Sequence, residues 1–146
     1  MAQEPGRRPV PTPDELLEPL AVVVRGHYDD LTAVAGRHSL SSAQARALIA
    51  LTEPMPMSAL AQHLVCDASN ATGLIGRMEA RGLVTRTPSP EDRRSKVAAR
   101  TPEGTALAHR IRDEMRVVHG ALEALTPEER TALLPLLHRL GALLAP

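Results

Sequence analysis

Between Ser58 and Thr101 the chain concentrates the side chains best suited to gripping a nucleic acid. Ser69, Asn70, Thr72 and Arg77 supply hydroxyls, an amide and a guanidinium that can exchange hydrogen bonds with base edges or phosphate oxygens. Further on, Arg86, Arg93, Arg94 and Lys96 surround Asp92 in a segment rich in proline and serine. Arginine suits a narrow A·T-rich minor groove, because its guanidinium is weakly hydrated and the groove concentrates negative potential. Asp92, two residues before Arg94, is placed to hold that guanidinium by charge-assisted hydrogen bonds and so orient it. Taken alone, such a string is also what an ordinary solvated charged loop looks like, so the elements around it decide.

Charge supports the same chemistry. The 146-residue chain has a formal net charge of zero, which argues against an indiscriminate polycation. From Arg81 to Arg100, however, six bases (Arg81, Arg86, Arg93, Arg94, Lys96, Arg100) face two acids (Glu91, Asp92), a local balance of +4. A basic patch on a neutral protein is the footprint expected for phosphate contact.

Two short helices and a pair of strands must position these groups. Ser58 is a plausible cap for the first helix, with Leu60, Ala61 and Leu64 on its buried side. Asp67 caps the second, whose apolar face is Ala71, Leu74, Ile75 and Met78 and whose C-terminal stop is Gly82. Ser69, Asn70, Thr72 and Arg77 then fall on the opposite face. Gly73 and Gly76 inside this helix each cost about 1 kcal/mol relative to alanine. Leu83–Arg86 and Lys96–Ala99 read as strands around the basic loop. A helix, a tight turn and a helix bearing small polar residues at its start form a device for placing side chains in the major groove. The arginine-bearing loop would reach the adjacent minor groove.

The flanks are helical. Residues 1–13, with four prolines, read as an extended or disordered arm. Residues 14–36 carry Leu16, Leu17, Leu20, Val24, Leu31 and Val34 at helical spacing. Ser41 and Gln44 form a capping box for a helix that ends before Pro54. Thr101-Pro102-Glu103 opens one long helix bearing Leu107, Ile111, Met115, Val118 and Leu122. Thr126 and Glu129 cap a last helix with seven leucines, more than a monomer can cover, and Pro135 predicts a kink or break in it. Dimerisation through the chain ends is the natural solution.

Composition bounds the class. The length suits one domain, and with no Phe or Trp and only Tyr28 the core must be aliphatic and mainly helical. The longest apolar runs, Leu20–Val24 and Ala47–Leu51, are far short of the ~20 residues that cross a bilayer. The N-terminal residues lack the apolar segment of a secretory signal, so a cytoplasmic location is expected. Cys66 has no intrachain partner, which agrees with a reducing compartment. The six histidines show no i, i+3 or i, i+4 pair, so neither a metal site nor a cofactor is expected. There is no phosphate-binding glycine loop, nucleophile elbow or H-E-x-x-H motif to suggest an enzyme.

From about Leu16 to Leu144 the chain resembles the MarR family of transcription regulators. Asp67-Ala68-Ser69-Asn70-Ala71-Thr72-Gly73-Leu74 is similar to that family's recognition helix, and Met78-Glu79-Ala80-Arg81-Gly82-Leu83-Val84 to its helix end and first wing strand. Arg86, Pro90, Asp92, Arg93 and Arg94 match its R-x-x-x-P-x-D-x-R wing pattern, followed by Thr101 and Gly104. Arg100 stands where the family more often has an apolar residue.

The resemblance implies a mainly α fold with a small β-wing. A winged helix-turn-helix at 40–101 would be flanked by dimerisation helices at 14–36 and 102–146, all in one domain over 14–146. It also implies a homodimer on a pseudo-palindromic operator in double-stranded DNA, and repression released by a small molecule or an oxidant. Arg25, His27 and Tyr28 could line the effector cleft or be interfacial surface residues. Cys66, at the turn before the recognition helix, is either a thiol activated by the helix N-terminus or a small apolar filler. The alternative function on this fold is a protein-interaction module without operator binding.

Overall fold

In the computed structural model, residues 9–145 are described, so most of the arm expected at the N-terminus lies outside the described residues. Helix α1 (Pro13–Arg37) opens at a capping box: the Glu15 amide donates to the Thr12 hydroxyl at 3.3 Å, and the Glu15 carboxylate accepts from the Thr12 amide at 2.7 Å. The Ser41–Gln44 box starts α2 (Ser42–Ala50) as expected. Then follow β1 (Met55–Pro56), α3 (Met57–Leu64), α4 (Ala68–Ala80), β2 (Val84–Pro88), β3 (Lys96–Arg100), α5 (Pro102–Glu114), α6 (Val117–Glu123) and α7 (Pro127–Leu144).

The sheet is antiparallel with order β1-β3-β2. Its core-facing residues Val84 and Ala98 join Leu31 and Val34 of α1, Leu48 of α2, Leu60 and Leu64 of α3, Ile75 and Met78 of α4, and Leu107 and Ile111 of α5 in one aliphatic core.

Three expectations are corrected. Ser58 does not cap α3: the helix begins one residue earlier, Pro56 holds the N-cap position, and no side chain caps it. The cause is a third strand, because Met55 and Pro56 pair with Ala98 and Val97, and the fixed φ of proline suits both an edge strand and entry into a helix. The long helix expected after Thr101 is two, broken at Met115, whose ψ of 99° leaves the helical region. The Val117 amide beyond the break donates to Asp30 Oδ2 of α1 at 2.9 Å, so α1 supplies the cap that α6 lacks in its own sequence. Of the kink or break expected at Pro135, the break is absent, because α7 runs through it.

Among the described residues, α6 and α7 bury no side chain, and the N-terminal half of α1 leaves Leu16, Leu17, Val22 and Val23 exposed. The compact part of the chain is therefore the winged unit together with the C-terminal end of α1. That end is braced twice. His38 Nε2 and Arg37 Nη2 meet the Glu114 carboxylate of α5 at 2.8 and 3.1 Å, and these hydrogen bonds, His38 first, hold Glu114 below the usual carboxylate range. Arg81, at the end of α4, donates to the carbonyls of Ser39 at 2.7 Å and His38 at 3.2 Å.

The tightest junction lies where the wing returns to helix. The Thr101 hydroxyl donates to the Gly82 carbonyl at 2.7 Å and accepts from the Gly104 amide at 3.0 Å, while the Thr101 amide donates to the Leu83 carbonyl. A Cβ on Gly104 would fall 1.9 Å from that Leu83 oxygen, a backbone atom with no rotamer to yield. Gly104→Ala is therefore expected to destabilise the fold by about 3 kcal/mol, the upper end of the cost of overpacking. Chemical denaturation checks this, and a midpoint equal to the wild type would show that α5 can pull away from the wing freely.

Candidate nucleic-acid interface

Helix α4 owes its exposed polar face to its buried one. Ala71, Leu74, Ile75 and Met78 are in the core, so Ser69, Asn70, Thr72 and Arg77 stand in solvent, as the helical period requires. Asp67 caps the helix through the Asn70 amide at 2.7 Å, and its second oxygen accepts from Asn70 Nδ2 at 2.9 Å. The carboxylate thus starts the helix and orients one of the residues on its polar face.

The turn into α4 is strained. Val65 lies in the left-handed region at φ 55°, ψ 50°, unusual for a β-branched residue, yet it packs on little, being 87% exposed. Cys66 beside it is half-buried against the core, with its amide donating to the Ala61 carbonyl.

The wing tip is organised by Asp92, though not in the expected way. Its Oδ1 accepts from the Arg94 backbone amide at 2.9 Å, and its carbonyl accepts from the Ser95 amide and hydroxyl, both at 3.0 Å. A carboxylate two residues back reaches a backbone N–H more readily than a guanidinium, so Asp92 shapes the turn and leaves the Arg94 side chain free. That side chain, Lys96, Ser95, Arg86, Thr72 of α4 and Ser58 of α3 line one notch of about 360 Å³. Helix and wing therefore present hydroxyls and cations to a common space. Ser69, Asn70, Arg77 and Arg93 stand outside this notch, exposed on α4 and on the wing tip.

The six bases of the tract divide. Arg93, Arg94 and Lys96 are exposed. Arg81, though exposed, spends its guanidinium on the carbonyls of His38 and Ser39 just past α1, and Arg86 is only 21% exposed and paired with Glu79. Arg100 is half-buried, with its Nη1 buried and unpartnered. Burial lowers its pKa, and the nearby Arg112 charge lowers it further against the pull of Glu53. The outward-facing patch is thus smaller than the sequence count suggests, and it lies at the wing.

A second cavity, about 950 Å³, lies between α1, α2 and the turn before α4. His27 and Tyr28 line it; Arg25 does not. Its cation is Arg46, absent from the sequence reading, whose guanidinium lies 5.6 Å from the Tyr28 ring centroid and donates to the His63 carbonyl at 3.4 Å. Arg46 sits in α2 with no motif to mark it; only the packing of α1 over α2 reveals it. Val65 lines the same cavity. Among the described residues there is no group of three or more histidine, cysteine or acidic side chains arranged to hold a metal, and no helix long and apolar enough to cross a membrane.

Residues 40–96, the span from the cap of α2 to the start of β3, match the model of the MarR family. The winged unit is a MarR-family domain. The chain is also similar to the transcriptional repressor NicR of Pseudomonas putida, 29% identical over 136 residues that cover 88% of this chain and 86% of that protein. It is 34% identical over 80 residues to YfiV, an HTH-type transcriptional regulator of Bacillus subtilis; these are 54% of this chain and half the length of that relative. Among solved structures, a MarR-family regulator from Silicibacter pomeroyi superposes with a TM-score of 0.77 at 26% identity, covering 90% of this chain and 92% of that one. The MarR fold, mainly helical with a small wing, is therefore the fold of this chain, and the family and these relatives are transcriptional regulators rather than enzymes.

Val65 generates a prediction. Glycine adopts the left-handed conformation without penalty, and the exposed valine has little packing to lose, so Val65→Gly should stabilise the MarR domain by about 1 kcal/mol. A lower melting temperature in the variant would mean that Val65 makes contacts worth more than its strain.

Proposed function

We propose that this MarR-family chain is a homodimeric transcriptional regulator that binds a pseudo-palindromic operator and represses, with release by a small molecule. The observation that carries the DNA-binding part is the common notch: Thr72 on the polar face of α4 and Arg94 and Lys96 of the wing open onto one space, as a surface spanning neighbouring grooves must. In this reading Ser69, Asn70 and Thr72 enter the major groove, Arg77 meets phosphate, and Arg93, Arg94 and Lys96 address the minor groove and its backbone.

The dimer rests on unburied apolar surface. Leu16, Leu17 and Val23 of α1 and Leu136, Leu140 and Leu143 of α7 are exposed, and contiguous apolar surface of this kind marks an interface. A second copy covering these helices would set two α4 helices about 34–36 Å apart, one turn of B-DNA. The cavity beneath α1 supports the effector. It is apolar apart from the Arg46 guanidinium, His27, His63, Tyr28 and Thr52, and so suits a small aromatic molecule carrying an anionic group. Because Val65 of the turn into α4 forms part of its wall, an occupant would touch the element that aims α4. A soluble regulator of this kind works in the cytoplasm.

Fluorescence anisotropy on duplexes tiling the DNA upstream of the chain's own gene, with competitor DNA and a salt series, tests the reading. One tile should bind tightly, with affinity falling steeply as salt rises. Arg94→Ala should weaken that binding about tenfold or more and leave the dimer mass in sedimentation unchanged. Equal affinity for wild type and variant would remove the wing from the interface. Uniform weak binding to every tile, and to unrelated duplexes, would remove the operator.

A further inference from the structure

The structure assigns Arg86 and Glu79 the role of a strut that fixes the angle between recognition helix and wing: both are positioning residues, and Arg86 is not a DNA contact. Glu79 stands on the last turn of α4 and Arg86 at the middle of β2, joined at three points. Arg86 Nε and Nη2 donate to Glu79 Oε2 at 3.0 and 2.7 Å, and the Arg86 backbone amide donates to Glu79 Oε1 at 3.1 Å.

The backbone bond follows from topology. β2 is an edge of the sheet, with β3 on one side only, so some of its amides have no ladder partner, and Glu79 accepts from one of them. The guanidinium lies along the helix beside Gly76, whose Cβ, if it had one, would stand in ordinary contact at 3.9 Å from Arg86 Nη2. The side chains are 21% and 38% exposed, and the Arg86 hydrogen bonds are the leading cause that holds the Glu79 carboxyl below its ordinary range.

A two-point guanidinium fork and a backbone acceptor on one carboxylate leave little freedom of rotation between the elements they join. Arg94 and Lys96 share the notch with Thr72, and the strut holds the wing at the angle that brings them there. Arg86 lines the notch as part of its wall, with Nε and Nη2 turned to Glu79.

This inference rests on the DNA-binding reading above, and the sign of one substitution separates it from direct contact. If Arg86 bound phosphate, removing the acidic Glu79 beside it would free the cation and tighten binding. As a strut, Glu79→Gln should weaken operator binding about tenfold although it removes a negative charge from a DNA-facing surface. Arg86→Lys, which keeps the charge but loses the fork, should weaken it equally, with the salt slope unchanged, and the double variant should be no worse than either single one. Tighter binding by Glu79→Gln, or full affinity in Arg86→Lys, would overturn the assignment.

A readout without DNA keeps the two readings apart. Hydrogen exchange at the Arg86 amide of the free protein should accelerate in Glu79→Ala, with circular dichroism reporting that the helices remain. Unchanged exchange would overturn the strut. Accelerated exchange in a chain that binds no duplex would uphold the strut and overturn the operator.

Discussion

Ala71, Leu74, Ile75 and Met78 are buried where α4 packs on α2, α3 and the sheet, and because an α-helix repeats every 3.6 residues, that burial leaves α4 one way to face. The polar residues at 69, 70, 72 and 77 are presented by default, with no contact needed to hold them out. The aliphatic core therefore sets which side chains α4 presents. Leu48 and Leu60, which have no chemistry of their own, lie on the helices that pack against α4, and a core change that rolled α4 by one residue would turn the polar face aside. Two glycines within α4 lower its intrinsic helicity, so its order depends on this packing and on the Asp67 cap more than on propensity.

Around this helix the charges are sorted by direction. Arg81 and Arg86 spend their guanidinium donors on carbonyls and a carboxylate of the fold, while Arg93, Arg94 and Lys96 are left to solvent. Inward arginines tie α4 to the end of α1 on one side and to β2 on the other. The outward cations lie on the wing, within one notch of Thr72. Such sorting explains how a chain of zero formal charge can present a local positive field without becoming a general polyanion binder. The cavity carrying Arg46 lies behind the same turn, so the strained Val65 stands between the space that would receive an effector and the helix that would meet DNA.

Much of this was legible in the chain. Capping boxes at Ser41 and Thr126, the Asp67 cap, the apolar period of α4 and the D-x-R wing are local signals, each resting on residues three or four apart or on a short motif. What escaped was non-local. β1 is two residues long and exists only because β3 is there to pair with it. The break between α5 and α6 depends on Asp30, 87 positions earlier, to cap the second piece. Ser58 looked like a cap because serine often is one, but sheet pairing moved the helix start to Met57. The charge of Arg86 and its place in the wing pattern suggest a DNA contact, and nothing in the order of residues reveals that Glu79 folds back across the Gly82 turn to meet its guanidinium. Arg46 entered the cavity that Arg25 was expected to line because helix rotation, not sequence neighbourhood, decides which residues share a wall.

The account turns on simultaneous engagement of neighbouring grooves by α4 and the wing of one domain. Hydroxyl-radical cleavage of a bound operator duplex reports minor-groove access at nucleotide resolution and tests this most directly. The account predicts, in each half-site, a protected minor-groove tract beside the major-groove segment that α4 occupies, with the two half-sites about 10–10.5 base pairs apart, or a multiple of that. A bound duplex whose minor groove is cleaved as freely as naked DNA would contradict it.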